Sequence, residues 1–212
     1  AQARIKLVAL PEREATTVLL DNPAGTLVEE ERTLALQKGV NKVDFSWKGV
    51  RIDPDSIRLA ILSHPAEVKL LSVSFPPNED ALIWEIASPA AYQEKVRISY
   101  LLASIDRLVT YKMVSNADET KVDLKSFLVL RNFSGEDFSL ATVGLDYGAS
   151  ARRSIQHEET SQTLLVERKG VPIEKKWVFD ARKLPWEPEK LDQNVGIPVY
   201  YVVKNDRASG LG

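Results

Sequence analysis

Apolar residues recur at every second position along most of this chain. A period of two is what a half-buried strand imposes, because successive side chains leave opposite faces of a sheet. Val43, Phe45 and Trp47 alternate with Asp44 and Ser46, and Ile57, Leu59 and Ile61 with Arg58 and Ala60. Leu82, Trp84 and Ile86 form a third set, Val96, Ile98, Tyr100 and Leu102 a fourth, and Val122, Leu124, Ser126, Leu128 and Leu130 one face of a long strand. Turn chemistry separates these runs: Asp21-Asn22-Pro23-Ala24-Gly25, Lys38-Gly39, Asp53-Pro54-Asp55, Pro76-Pro77-Asn78, Asn116-Ala117-Asp118 and Ser134-Gly135-Glu136-Asp137. Helix signals are few. Glu29 to Leu36 contains good helix formers but lacks a cap, and Pro89 to Glu94 has room for one turn.

The pattern predicts an all-β protein of two tandem antiparallel β-sandwich-like domains with little helix. The expected break lies at Ser88-Pro89-Ala90-Ala91, giving domains 1–89 and 90–212. About six strands are expected from Ala15 to Ala87. After a polar stretch from Gly148 to Ser161, strands are expected to resume over Thr163–Arg168, Glu174–Asp180 and Val199–Lys204. Two prolines make Lys183 to Pro188 extended or looped.

Composition narrows the function classes. Of 212 residues 44% are apolar, enough for a core, and 28 Lys+Arg against 30 Asp+Glu leave a net charge of -2. So balanced a chain has no global footprint for nucleic acid. It has no cysteine, which excludes disulfides, cysteine-ligated metals and thiol catalysis. No run approaches the roughly 18 apolar residues of a membrane span. The start Ala1-Gln2-Ala3-Arg4 fits what leader cleavage leaves behind, so an extracytoplasmic location, periplasmic or envelope-associated, is expected.

Catalytic constellations are weak. The two histidines, His64 and His157, are too few and too far apart for a zinc motif, no Gly-x-Ser-x-Gly elbow occurs, and no glycine pattern would cradle a phosphate. Paired carboxylates remain open, since space rather than sequence sets them. No cofactor and no metal are expected. The sharpest local motif is Asn132-Phe133-Ser134-Gly135-Glu136-Asp137-Phe138. It reads as a tight connection: Asn132 and Ser134 cap backbone groups, Gly135 takes a positive φ, Glu136 and Asp137 stay solvated, and Phe133 and Phe138 anchor the flanks.

The aromatics are the better lead. Trp47 and Trp84 fall on alternating faces and are expected in the core. Trp186, between Pro185 and Pro188, and Trp177, after Lys175-Lys176, are candidate interface anchors. Tyr200 and Tyr201 sit in a run, Val199 to Val203, that is apolar on both faces. Such a run is either a central strand or an edge open to a partner.

From Val96 to Gly148 the chain resembles a family of bacterial β-rich proteins of unknown function similar to mucoidy inhibitor A. The resemblance rests on Ser99-Tyr100, on Tyr111, and on Asn132, Ser134, Gly135, Glu136, Asp137 and Phe138. Gly39 to Val43, Ile52 to Ile57, Lys204-Asn205 and Gly210-Leu211-Gly212 fit more loosely, and the coiled-coil insertion common between the family's two β-regions is missing. The resemblance implies an exported β-protein with no established chemistry. The expected function is therefore non-enzymatic binding of another protein, as an accessory subunit docked on a membrane-bound complex. A carbohydrate- or envelope-polymer-binding module and a carboxylate-dependent hydrolase are the alternatives.

Overall fold

The computed structural model of the protein describes residues 6–20, 22–144, 150–180, 182, 197–206 and 209. Most of this is strand: β1 (Lys6–Val8), β2 (Ala15–Leu19), β3 (Thr26–Leu36), β4 (Gly39–Ser46), β5 (Arg58–Ile61), β6 (Lys69–Ser74), β7 (Ala81–Ser88), β8 (Tyr92–Leu102), β9 (Ile105–Ser115), β10 (Lys121–Asn132), β11 (Phe138–Gly144), β12 (Ser150–Ile155), β13 (Thr160–Trp177) and β14 (Val199–Val203). The class is all-β. Pro54–Ser56 forms a 3-10 turn, N-capped by the Asp53 carboxylate. No helix among the described residues is long and apolar enough to cross a membrane. The helix formers of Glu29 to Leu36 lie within β3, where alternating burial overrides propensity.

The chain divides into two compact units, Ala1–Arg107 with Leu130–Ser161, and Leu108–Val129 with Gln162–Gly212. This differs from the expected break at Pro89. β3 pairs antiparallel with β8 in unbroken register from Thr26↔Leu102 to Leu36↔Tyr92, so residues on either side of Pro89 share one sheet. Ser88-Pro89-Ala90-Ala91 is the corner between β7 and β8, fastened by Ser88 Oγ donating to the Ala90 carbonyl at 2.7 Å. A proline-bearing corner between sheets has the same composition as a linker.

The first unit holds two sheets, ordered β1-β4-β7-β6 and β12-β11-β2-β3-β8-β5. The β1–β4 and β2–β11 pairs are parallel; the other registered pairs in these sheets are antiparallel. Between the sheets lie the residues the alternation selects: Val43, Phe45, Trp47, Leu82, Trp84 and Ile86 from one, Val28, Leu34, Val96, Ile98 and Tyr100 from the other, all buried. Phe45 ties the two layers, its ring 5.5 Å from Trp84 and 6.0 Å from Tyr100. Asn41 is buried without loss because its amide accepts from the Gln37 N–H and donates to the Gln37 and Ile86 carbonyls.

In the second unit the described strands form one sheet, ordered β14-β13-β10-β9. The runs expected over Thr163–Arg168 and Glu174–Asp180 are one strand, β13, with Gly170 at φ 64 inside it. Its core is small: Val122, Leu124 and Val171 are buried, with Ile173 and Val203 packed against them.

Two glycines separate steric from conformational cost. Gly135 has φ 87, and a Cβ there would lie 2.1 Å from the Gly49 carbonyl oxygen; Gly39 has φ 105 but open space around it. Gly135→Ala is therefore expected to cost about 3 kcal/mol or more, and Gly39→Ala about 1 kcal/mol, measured by urea unfolding. Equal costs would contradict this reading of the Gly135–Gly49 contact.

Candidate functional site

In the first unit the Asn132–Phe138 motif folds as a knot. Asn132 and Ser134 are buried; the Asn132 side chain accepts from the Ser134 N–H and Oγ and donates to the Glu136 carbonyl at 2.8 Å. Ser134 Oγ accepts from the Glu136 N–H, and the Gly135 N–H donates to His157 Nδ1 at 3.1 Å. Asp137 is exposed and accepts the His157 N–H at 2.6 Å. Phe138 is buried, whereas Phe133 is exposed. Glu136 also departs from expectation: it accepts from Arg13 at 2.9 Å instead of facing solvent.

That contact belongs to a buried ionic cluster. Glu30, on the core side of β3, has 0% exposure. It accepts from Arg13 Nε and from Arg32 at 3.1 Å, while Arg32 also donates to the Pro11 carbonyl. Arg13 lies over the Phe138 ring, 5.6 Å from its centroid. Burial alone would lower the Arg13 guanidinium; its hydrogen bond to Glu136 and the charge of Glu30 outweigh that and hold it above its ordinary value. Tyr100 points its hydroxyl into the same buried region with no partner among the described residues. Burial and the Glu30 charge push its phenol upward. A cleft of about 740 Å³ opens beside the cluster, and its lining includes Glu12, Glu14 and Asp137 together with Arg13, Arg32 and Arg152. Carboxylates and guanidiniums balance there, so the lining selects neither an anion nor a cation.

The half-exposed His64 and the buried Glu94 form a second pair. Glu94 accepts from His64 Nδ1 at 2.7 Å and from the Ser63 and His64 N–H groups at 2.8 and 3.1 Å, and the imidazole stacks on Tyr92 at 4.0 Å. This is a base held by an orienter. Among the described residues no nucleophile is hydrogen-bonded to the imidazole, and the three donors on Glu94 fasten the loop between β5 and β6. Among the described residues no group of three or more His, Asp or Glu could hold a metal ion.

The second unit presents the aromatics. Trp177 is 62% exposed, Tyr200 51% and Tyr201 45%. In the β13–β14 register Trp177 faces Val199, Lys176 faces Tyr200 and Lys175 faces Tyr201. Trp177, Lys175 and Tyr201 thus share one face, and Tyr200 lies on the other. Lys175 Nζ sits 4.9 Å from the Trp177 ring centroid and 5.8 Å from that of Tyr201. Glu119 accepts from both Lys175 and Tyr201. Trp186, the remaining interface candidate, lies outside the described residues. The sequence singled out Trp177, Tyr200 and Tyr201 but gave no sign of Lys175–Glu119, whose partners are 56 positions apart, nor of Glu30, which an alternation rule reads as one more strand residue.

Two experiments test these networks. Glu30→Ala takes the shared buried carboxylate from the half-buried Arg13 and Arg32 and is expected to cost about 3 kcal/mol of unfolding free energy. Tyr100→Phe removes an unsatisfied hydroxyl and is expected to cost nothing or to gain up to about 1 kcal/mol. The reverse ranking in urea unfolding would contradict the cluster. The hydrogen bonds from Lys175 and Tyr201 hold the Glu119 carboxyl below its ordinary 4.5. A depressed carboxylate stabilises above its unfolded value and loses that contribution as pH falls through its folded one. Carboxyl NMR should find Glu119 titrating below 4.5 and moving up in Lys175→Met; titration at 4.5 in both would contradict the contact.

None of the protein-family models, curated proteins or solved structures compared with this chain matches it, and its own surface chemistry is what points to a function.

Proposed function

We propose that this chain is a non-enzymatic protein-binding module, acting as an accessory subunit on the outer side of a membrane-bound complex, and that the sheet of its second unit is the contact surface. The observation that carries this is the exposed Trp177 with Tyr201 on the same face. Large aromatics at such exposure are what interfaces bury at their centres. Phe179, Ile197 and Val199, next to Trp177 along the strand or across the β13–β14 pair, are exposed as well. Together they make an apolar area of the kind that marks a contact site.

A carbohydrate-binding reading shares one observation: two exposed rings, Trp177 and Tyr201, on one sheet face. Sugar stacking needs bare ring faces. Here Lys175 Nζ lies over both rings, and a pyranose would have to displace it from Glu119. A protein partner can use the cation as it stands, since cation, ring and carboxylate together resemble an interface hot spot.

The test is retention of a partner from solubilised membranes by the immobilised full chain. Trp177→Ala and Tyr201→Ala are expected to weaken it by about 30-fold or more, the size of a hot-spot loss, with the circular dichroism spectrum unchanged. Retention unaffected by both variants, or no specific protein retained, would overturn the reading; release by soluble glycans would favour the carbohydrate alternative.

A further inference from the structure

β14 ends its sheet: in the order β14-β13-β10-β9 no described strand lies beyond it. Edge strands usually carry protection such as lysine, proline or a bulge. β14 is Val199-Tyr200-Tyr201-Val202-Val203, with no charge and no proline, and its register with β13 is unbroken. Val199, Tyr200, Tyr201 and Val202 are each more than 40% exposed. β6, at the edge of a sheet in the first unit, is protected: it begins with Lys69 and its register shifts between Leu70 and Ser72.

Which backbone groups point outward follows from one hydrogen bond. The Val178 N–H donates to the Pro198 carbonyl at 3.1 Å, in line with the β13–β14 register. Antiparallel pairs alternate between bonded and non-bonded. Residues 198, 200 and 202 therefore turn their backbone groups toward β13, and Val199, Tyr201 and Val203 turn theirs outward. A two-fold axis normal to the sheet lets a residue face its own copy, an outward residue as a bonded pair and an inward one as a non-bonded pair. Of the possible centres in β14, Tyr201 alone overlaps the whole strand.

We propose that β14 pairs antiparallel with β14 of a second copy of this chain, Tyr201 facing Tyr201, Tyr200 facing Val202 and Val199 facing Val203. This deepens the proposed function by naming one protein partner, and it rests on the same exposed surface. What favours a second copy is how the rows continue across the seam. On the face bearing Trp177, the joined sheet reads Trp177, Val199, then Val203 and Ile173 of the second copy. The exposed tryptophan thereby extends the apolar row that ends at the small core of Val122, Leu124 and Val171. The middle row reads Lys175, Tyr201, Tyr201, Lys175, which keeps the two ammonium groups about 14 Å apart by strand spacing, each with its own Glu119. The opposite face reads Lys176, Tyr200, Val202, Glu174, an aromatic against a β-branched residue with opposite charges at the two ends. No like charges stand directly opposite. The interface is self-complementary, as a two-fold dimer requires. With only five residues per strand it falls at the small end of the interface range, and a dissociation constant of about 1–100 µM is expected.

The test is sedimentation velocity of the full chain from about 1 to 300 µM, a range spanning that constant. The wild type and Tyr201→Phe are expected to move from monomer to dimer mass. Tyr201→Pro removes an outward N–H from β14 together with the ring, but no N–H bonded to β13, and is expected to stay monomeric with an unchanged circular dichroism spectrum. Register is tested by cysteine pairing, which is clean because the chain has none of its own. Under mild oxidation a mixture of Tyr200→Cys and Val202→Cys is expected to cross-link, and Tyr200→Cys alone is not. A wild type that stays monomeric at the highest concentration, a dimer that survives Tyr201→Pro, or Tyr200→Cys cross-linking alone as well as the mixture would each overturn the inference. Should Tyr201→Pro unfold the chain, the mixed-cysteine result decides. None of these outcomes touches the protein-binding reading, which stands or falls on retention of a partner through Trp177.

Discussion

A carboxylate with no exposure in the middle of a sheet face must be fully compensated, and the first unit is arranged around that requirement. Glu30 would cost several kcal/mol unpaired. Arg32 alone, two residues along the same strand, does not use both oxygens fully. Arg13 completes the set, and it comes from the segment crossing from β1 in one sheet to β2 in the other. The cluster thus fixes where that crossing runs. Glu136 then pairs with the remaining face of Arg13, so the Asn132–Phe138 knot is fastened to the crossing, and the cation covers the Phe138 ring. The close approach of Gly135 to Gly49 follows from how deeply that knot is seated. One buried charge therefore specifies the path of three separated pieces of chain, a role that apolar packing alone would perform less selectively.

The second unit follows a different logic. Its described strands make one sheet with a five-residue core cluster, and many large apolar side chains face outward. Water penalises that arrangement. A globular chain with 44% apolar residues and a well-filled first unit has no shortage of polar alternatives for these positions. The exposed aromatics are also held rather than loose: Lys175 bridges two rings and Glu119 anchors both the cation and the Tyr201 hydroxyl. Ordering such a surface in advance lowers the entropy lost on contact. That combination is why a binding role fits the unit better than a purely structural one.

How much of this was legible in the sequence depends on the range of each interaction. Strand faces were legible, because the period of two is local: Phe45, Trp84 and Tyr100 are core residues as the alternation requires, and Gly135 takes the positive φ its turn demanded. The break at Pro89 was not, because a sheet-to-sheet corner and a domain linker draw on the same residues, and only the β3–β8 register tells them apart. β13 read as two strands since Gly170 and Pro172 interrupt its pattern without interrupting its path. Glu136 was expected in solvent; its partner Arg13 lies 123 positions away, beyond any local rule. The same applies to Glu94, whose three donors come from a loop some 30 positions earlier. The open character of Val199 to Val203 is legible only as an alternative, central strand or edge, and among the described strands the sheet order places it at the edge.

The claim that the outward sheet of the second unit is a contact surface is tested most directly by amide hydrogen exchange along β13 and β14 as a function of concentration and of added membrane extract. The account predicts that the outward amides of Val199, Tyr201 and Val203 exchange fast in dilute protein and become protected when a partner is present, while Tyr200 and Val202, bonded to β13, change little. Exchange at Val199, Tyr201 and Val203 that is slow in dilute protein, or that no concentration or extract alters, would contradict it.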